Sequence, residues 1–268
     1  MTETPRHEIE EMLSKGDLRT LWETKATEFH GHNCHKVAYG VRAGALALKE
    51  LGIKPGRDEI EGRLVAIVDS SGPFLNGVQV VTGLTVGTSH LVIRDVGKLA
   101  LTLVKMDNTA VRVAVKPEFL DGLTQRVPAL GGLMGGRYGT IPVPEGRKTP
   151  LTIMELMGHI MEKMGAQSAE ELQKMMEQMG TTIKEAVVKE LDVPDNQMFK
   201  VERKEVDFSL YAPICQCTHT AVVCGSCGEF VLEPYVRIRR GKSTCPECAG
   251  EEYRLLAKGQ IMVSSSRI

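Results

Sequence analysis

The chain has 268 residues, of which 42% are hydrophobic and 25% charged, as in ordinary globular proteins of one or two domains. Its formal net charge of −1 gives no overall field that would attract nucleic acid or an anionic membrane. No apolar run approaches the ~18–20 residues of a membrane span, and the acidic, amphipathic N-terminus is unlike a secretory signal. We therefore expect a cytoplasmic protein with no membrane partner.

Hydrophobic periodicity predicts helices in the first part of the chain. Residues 8–28 are expected to form one or two helices, and the clearest helix runs over 35–51. The run 63–69 then predicts a buried strand before a Ser-Ser-Gly-Pro turn, and 75–82 predicts a short helix.

Three successive strands are expected next, over 90–95, 99–106 and 110–116. Because parallel crossovers need a dozen or more residues, strands so close together should pair with one another antiparallel. This order favours an α+β fold with a mainly antiparallel sheet over a doubly wound one.

The second half of the chain divides into four segments. Residues 127–150 form a Gly/Pro-rich loop that lacks phosphate-binding motifs, which indicates a mobile loop or lid. Residues 151–190 are expected to form a pair of methionine-rich helices, whose methionines are more often core than a partner-binding stripe. A last strand is predicted over 201–208. We therefore expect a core domain over 1–208 and a second domain over 209–268.

Two C-x-x-C pairs in the tail predict a structural metal site. Cys224 and Cys227 are separated by 17 residues from Cys245 and Cys248. Four thiolates at these spacings complete a closed tetrahedral zinc site, which is structural and not catalytic. A hairpin between the pairs and a helix expected over 247–256 follow the treble-clef order. The chain should therefore bind one zinc ion.

Two other tail features are ambiguous. Cys215, Cys217 and His219 form a C-x-C-x-H run that either binds a second ion or supplies spare thiols. The basic hairpin with Arg237 and Arg239 is more often a solvated turn than a nucleic-acid contact, so nucleic acid is an unfavoured partner.

The stretch FHGHNC at 29–34 places His30, His32 and Cys34 together. Alternating residues of an extended segment face one way, and the helix start that follows favours a thiolate. Histidine and cysteine at such a position suit a transition-metal site or a nucleophile, with His32 and Cys34 as candidate catalytic groups. The alternatives are a capped helix with chance histidines or a buried, hydrogen-bonded histidine. Asp69, at the end of a predicted strand, is expected to orient one histidine from behind.

The sequence resembles the FmdE proteins, a family named for formylmethanofuran dehydrogenase. The resemblance is carried by FHGHNC at 29–34, GVRAGALALKELG at 40–52, LVAIVDSSG at 64–72, GVQVVTGLTVG at 77–87, LVIRDVGKLALT at 91–102 and the cysteine-rich tail. It implies an α+β core, an intertwined homodimer, an appended zinc finger and a pocket at HGHxC where a metal binds. It also implies an association with molybdenum or tungsten enzymes, without a defined reaction.

This chain departs from the pattern of the family at several positions. His35-Lys36 stands where Pro-Gly is usual, and Ser70–Phe74 and Leu84 stand where many members have cysteine. His90 also replaces a small polar residue. We therefore expect a site rebuilt with more histidine. The sequence leaves open whether Cys215, Cys217 and His219 fold over this site and add ligands to it.

Two classes of function remain open. The first is a protein that handles a metal, a metal cofactor or a small ligand at the His/Cys pocket. The alternative is a dimeric regulator or scaffold subunit whose finger binds nucleic acid or a partner enzyme. The sequence does not decide whether the protein is an enzyme, because no nucleophile–base–orienter set is traceable.

Overall fold

The computed structural model describes residues 6–53, 63–126, 146, 151–165, 167–214, 220–251, 253–257 and 260–264. The loop 127–150, apart from Gly146, lies outside these residues, and so do Cys215, Cys217 and His219. The expectations placed on those segments stay predictions. Within the described residues, no helix combines the length and apolar character needed to cross a membrane.

Helices make up most of the N-terminal part. In chain order they are α1 His7–Lys15, α2 Leu18–Leu21, the π-helical turn Trp22–Ala26, α3 Thr27–His30, α4 His35–Glu50 and, after the first strand, α5 Pro73–Thr82. Later helices are α6 Pro117–Asp121, α7 Leu123–Arg126, α8 Ile153–Met164, α9 Ala169–Leu191 and α10 Asp195–Met198. The helices predicted over 8–28, 35–51 and 75–82 are thus confirmed.

A five-stranded sheet forms the centre of the core, with strand order β2-β1-β3-β4-β5. Its strands are β1 Leu64–Val68, β2 Leu91–Ile93, β3 Ala100–Lys105, β4 Thr109–Val115 and β5 Phe199–Glu205. All pairs except β1–β2 are antiparallel, which confirms a mainly antiparallel sheet in an α+β fold. β5 begins and ends earlier than the predicted strand 201–208, and Phe208 begins a short 3₁₀ helix.

The pairing of β2 differs from the prediction. β2 does not pair with β3 but lies parallel to β1, with Ala66 opposite Leu91, while β3 pairs with the other edge of β1. The segment between β1 and β2 contains α5, so it is long enough for a parallel crossover. The interior strand β1 is buried along its whole length, as expected for a continuous apolar run.

The helices α4 and α5 pack on one face of the sheet at very short range. A methyl group at Gly40 of α4 would lie 2.1 Å from the carbonyl oxygen of Phe74, and one at Gly77 of α5 would lie 2.2 Å from that of Val37. Glycine is therefore required at both positions, because the two backbones touch. The opposite face of the sheet carries a smaller cluster that includes Val65, Ile67 and Phe208.

The methionine-rich helices α8 and α9 form as predicted, and each begins at a residue whose side chain caps the helix N-terminus. Thr152 and Glu155 form a reciprocal capping box at α8, and Ser168 accepts a hydrogen bond from the Glu171 N–H at α9. Their described buried positions are Ile160, Leu172, Val187 and Glu190, whereas Met154 is 82% exposed. The described methionine side chains therefore do not form a fully buried stripe.

The tail consists of short hairpins. Its strands are β6 Ala221–Val223, β7 Phe230–Leu232, β8 Arg237–Arg239, β9 Lys242–Thr244, β10 Tyr253–Ala257 and β11 Gln260–Ser264, paired as three antiparallel ribbons. The helix predicted over 247–256 is wrong, because Tyr253–Ala257 pairs with Gln260–Ser264 as a hairpin. The β-branched and aliphatic residues of 253–264 explain this outcome, since they fit a ribbon as well as a helix. The treble-clef order, which requires that helix, is therefore absent from the described residues.

Candidate metal sites

The four cysteines of the two C-x-x-C pairs converge in the tail. Cys224, Cys227, Cys245 and Cys248 place one sulfur each within 4.8 Å of all the others. Four sulfurs bound to one zinc ion at ~2.3 Å each lie about 3.8 Å apart, so small movements would bring these atoms to ligand distance. The cluster can hold a metal ion such as zinc, as the spacing predicted.

Backbone N–H groups stabilise a thiolate within this cluster. The Cys245 N–H lies 3.3 Å from the Cys224 sulfur, and the Cys248 N–H lies 3.4 Å from the Cys245 sulfur. Hydrogen bonds from the backbone of Cys227, Cys245 and Ser226 lower the pKa of the Cys224 thiol to about 6. A thiol that ionises near neutral pH is a ready metal ligand.

The basic hairpin β8–β9 is partly neutralised. Glu251 accepts from the Arg237 Nε at 2.5 Å and from Arg239 at 3.1 Å, and it lies just after the second cysteine pair. These pairs leave less free positive charge for a phosphate backbone than the sequence alone suggests. The hairpin fits a solvated turn better than a nucleic-acid interface.

The three residues of the HGHxC stretch also converge. His30, His32 and Cys34 each place one ligand atom within 4.8 Å of the others, and the two imidazole rings lie 4.4 Å apart. Gly31 makes this possible, because its φ of 92° ends α3 and turns the chain away from the helix. Cys34, in an extended conformation, then becomes the N-cap of α4.

Asn76 of α5 orients the ring of His30. The Asn76 Oδ1 lies 2.9 Å from the His30 Nδ1, and because an amide oxygen only accepts, Nδ1 carries the proton. The lone pair of the neutral ring is therefore on Nε2. That atom is buried and has no hydrogen-bond partner among the described residues. A buried nitrogen lone pair without a partner, beside a histidine and a cysteine, is the arrangement of a metal ligand supported from behind.

His32 also favours the neutral form. Burial, and then the neighbouring His30, lower the pKa of His32 below its usual value. A neutral imidazole keeps a lone pair for a metal ion at physiological pH, whereas the protonated ring cannot bind one.

A cavity of about 490 Å³ adjoins this part of the chain. Phe29, which precedes His30 and is 57% exposed, lines it together with Gln79 of α5. The Asn76 amide also donates to the Gln79 Oε1 at 3.5 Å. A run of hydrogen bonds thus links the imidazole of His30 to a cavity large enough for a small molecule.

Asp69 does not orient a histidine, contrary to the prediction. Its carboxylate is fully buried and accepts from Arg94 at 2.8 and 2.9 Å and from Arg112 at 2.7 Å. Burial alone would raise the pKa of Asp69, but the hydrogen bonds from the two arginines hold that pKa below its usual value. Asp69 is therefore an ion-pair centre at the end of β1.

Neither His90 nor His35 belongs to the three-residue group that could hold a metal. The His90 Nδ1 lies 2.7 Å from the Thr88 carbonyl oxygen, in the turn before β2. His35 is buried against the edge of Tyr39, and burial followed by the charge of Lys36 lowers the pKa of His35 to about 4. Of the rebuilt site that we expected, the described residues bring together only His30, His32 and Cys34.

Sequence reasoning missed Asn76 and the two arginines on Asp69. Asn76 gave one usable signal, since it is a polar residue within the apolar run 74–82. Arg94 lies in the RDVGK stretch, but no local spacing links it or Arg112 to Asp69.

The chain matches a family model and resembles a solved structure. The model of the FmdE family, described as the molybdenum formylmethanofuran dehydrogenase operon, matches residues 29–200. The crystal structure of a tungsten formylmethanofuran dehydrogenase FmdE-like protein from Syntrophus aciditrophicus aligns with 87% of this chain and 92% of its own, with 18% identity and a TM-score of 0.46.

A curated relative comes from Archaeoglobus fulgidus and is named "Probable S-adenosyl-L-methionine-binding protein". It is 31% identical over 240 residues, which is 88% of this chain and 55% of the relative. The chain thus spans about half the length of that relative. Because the family model covers most of the chain and includes the HGHxC stretch, this protein belongs to the FmdE family.

Proposed function

We propose that this protein is a metal-binding member of the FmdE family that handles a metal ion, or a metal-bound ligand, at His30, His32 and Cys34. The buried and unpartnered Nε2 of His30, fixed by Asn76 on the other side of the ring, is the observation that carries this proposal. Two imidazoles and one thiolate would leave an open coordination position for a ligand in the adjoining cavity.

In this proposal each residue has a distinct role. His30 and His32 supply neutral nitrogen ligands, and Cys34 supplies a soft thiolate, a set that suits zinc, nickel, copper or iron. Asn76 keeps the His30 lone pair directed at the ion. The cavity beside Phe29 would hold the guest molecule next to the site, although none of the three ligand residues lines it. The four-cysteine cluster of the tail would hold zinc for structural reasons, with its coordination closed.

Metal stoichiometry tests the proposal. We expect two metal ions per chain by inductively coupled plasma mass spectrometry, one in each cluster. Cys34→Ser and His32→Ala should each remove one ion, whereas the control His90→Ala should leave both. One ion per chain in the wild-type protein, unchanged by Cys34→Ser, would refute the core site.

A second candidate function is S-adenosylmethionine binding, which the name of the Archaeoglobus relative supports. Equilibrium dialysis with labelled S-adenosylmethionine would test it on the purified full chain. Saturable binding that is lost in a variant of the cavity, such as Gln79→Trp, would support this function, and absence of saturation would reject it.

The family also supports two proposals about assembly: a homodimer, and a link to molybdenum or tungsten enzymes. Light scattering coupled to size-exclusion chromatography would measure the mass of the purified protein. Co-purification of a molybdenum or tungsten enzyme with this chain would support the accessory role, whereas its consistent absence would argue against that role.

A further inference from the structure

A second cleft, of about 520 Å³, lies at one end of the sheet, separate from the His/Cys group. The start of β3, the end of β4 and the helix α6 that follows β4 meet there, because Ala100 pairs with Ala114. The side chain of Lys36, from the first turn of α4, also lines the cleft. Four elements thus contribute to one concave surface.

The polar side chains that line this cleft carry only positive charge. They are Lys36, Lys98 and Arg112, and none of the described lining residues has a carboxylate. Neither lysine has an ion-pair partner within the described part of the chain, where Asp69 pairs with Arg94 and Arg112. Although Asp69 offsets the charge of Arg112, the two lysines leave the cleft with an excess of positive charge. Cations brought together in this way attract anions.

The rest of the lining is apolar. Leu99 and Val115 come from the ends of β3 and β4, and Pro117 and Leu120 come from α6. Ala114 is only partly buried, so this end of the sheet is open to a guest. An apolar wall with a few convergent charged groups is the usual composition of a small-molecule site, and a volume of 520 Å³ lies in the usual range of roughly 300–1,000 Å³.

We propose that this cleft binds a small organic anion, with its carboxylate or phosphate group between Lys36, Lys98 and Arg112 and its apolar body against Leu99 and Leu120. Arg112 is held in place by Asp69, so its remaining N–H groups are oriented before the ligand arrives. The two lysines supply mobile point charges that close on the anion. A cationic sulfonium compound such as S-adenosylmethionine is disfavoured here, because three positive groups surround the site.

Calorimetric titration of the full-length, metal-loaded protein tests this proposal with matched probes. We expect saturable binding of 1-naphthyl phosphate or of 1-naphthoate, and the stronger of the two identifies the preferred anionic group. The neutral analogue 1-naphthol should bind at least tenfold more weakly, because loss of a charge-assisted hydrogen bond costs about a factor of ten or more. Equal binding of 1-naphthol, or no binding of either anion, would overturn the proposal.

Variants of the lysines locate the site. Lys36→Gln and Lys98→Gln should each weaken binding of the anionic probe about tenfold, and Lys98→Glu should abolish it. Lys49→Gln is the matched control, since Lys49 lies on the same helix α4 but lines a different cavity. Wild-type affinity in both lysine variants would refute the assignment.

The inference does not depend on the proposed metal site, and one variant separates the two. His32→Ala should lower the metal content but leave binding of the anionic probe unchanged. Loss of probe binding in His32→Ala, with Lys36→Gln and Lys98→Gln unaffected, would place the anion at the metal instead and overturn the cleft assignment.

Discussion

At the scale of single residues, the proposed metal site depends on the hydrogen bond between His30 and Asn76. Removing that acceptor with Asn76→Ala should lower metal affinity of the core site by about tenfold to a hundredfold, because the imidazole loses its fixed tautomer and orientation. Competition with a chromophoric chelator would measure the change. Asn196→Ala is the control, since Asn196 is exposed and far along the chain from the site. Equal affinities in the two variants would show that Asn76 does not support a ligand.

The ion-pair centre at Asp69 gives a prediction on stability. Asp69→Asn should lower the free energy of unfolding by about 3 kcal/mol, because two arginines then lack their buried counter-charge. The exposure of Arg94 keeps the loss at the low end of the range for broken buried pairs. Urea denaturation would measure it, with Asp107→Asn at an exposed turn as the milder control. A loss no larger than that of the control would contradict the prediction.

Spacing along the sequence reveals metal ligands that are close in the chain but not ion-pair partners that are distant in it. The cysteine pairs and the HGHxC stretch were identifiable because their ligands are near in sequence, and the chain had only to turn to bring them together. The partners of Asp69 come from the turn after β2 and from β4, so only the sheet order makes them neighbours. Ion pairs between residues so distant in sequence leave no local sequence pattern from which they could be predicted.

At the scale of elements, the contact between α4 and α5 is the tightest packing in the core. Gly40→Ala should lower the free energy of unfolding by about 3 kcal/mol, because its methyl group would overlap the Phe74 carbonyl and force the helices apart. Gly180→Ala is a matched control within helix α9, where a methyl group meets nothing within 4 Å. That change should stabilise the protein by about 0.5–1 kcal/mol. Thermal unfolding would measure the stability of both variants. If the two changes destabilised the protein equally, the close contact between α4 and α5 would be contradicted.

Helices and strands with a strong hydrophobic pattern could be predicted from the sequence, but the pairing of the strands in the sheet was harder to predict. The helix α4 and the strand β1 each follow from a long apolar pattern bounded by turn residues. The position of β2 did not follow, because chain proximity favours β3 as its neighbour whereas the α5 crossover places it beside β1. The segments 253–257 and 260–264 pair as a ribbon, where a helix was predicted up to residue 256. Their residues suit both structures, so the pairing between the two segments decides which one forms.

At the scale of the whole molecule, the two candidate metal sites lie in separate parts of the chain. The family model ends at residue 200, before the first cysteine pair of the tail. The large hydrophobic cluster of the core includes Trp22, Val111 and Phe199 but, within the described part of the chain, no residue beyond 199. Among the side chains of the tail that the structure describes, the buried ones are Cys224 and Thr244. We therefore expect the tail to depend on a bound metal for its stability, whereas the core has an apolar interior.

Metal removal should therefore unfold the tail and leave the core intact. A strong chelator is expected to release the ion from the four-cysteine cluster and to unfold the backbone of β8 and β9. Trypsin should then cleave after Arg239, Arg240 or Lys242, whose side chains are already exposed in the folded tail. Trp22, the single tryptophan, is completely buried in the core, so its fluorescence should stay unchanged while the tail is cleaved. Cys245→Ser should reproduce the cleavage without chelator, and Cys34→Ser should not. A shift of Trp22 emission in step with cleavage would mean that core and tail unfold as one cooperative unit, because only a shared interior transmits the loss of the metal to that indole.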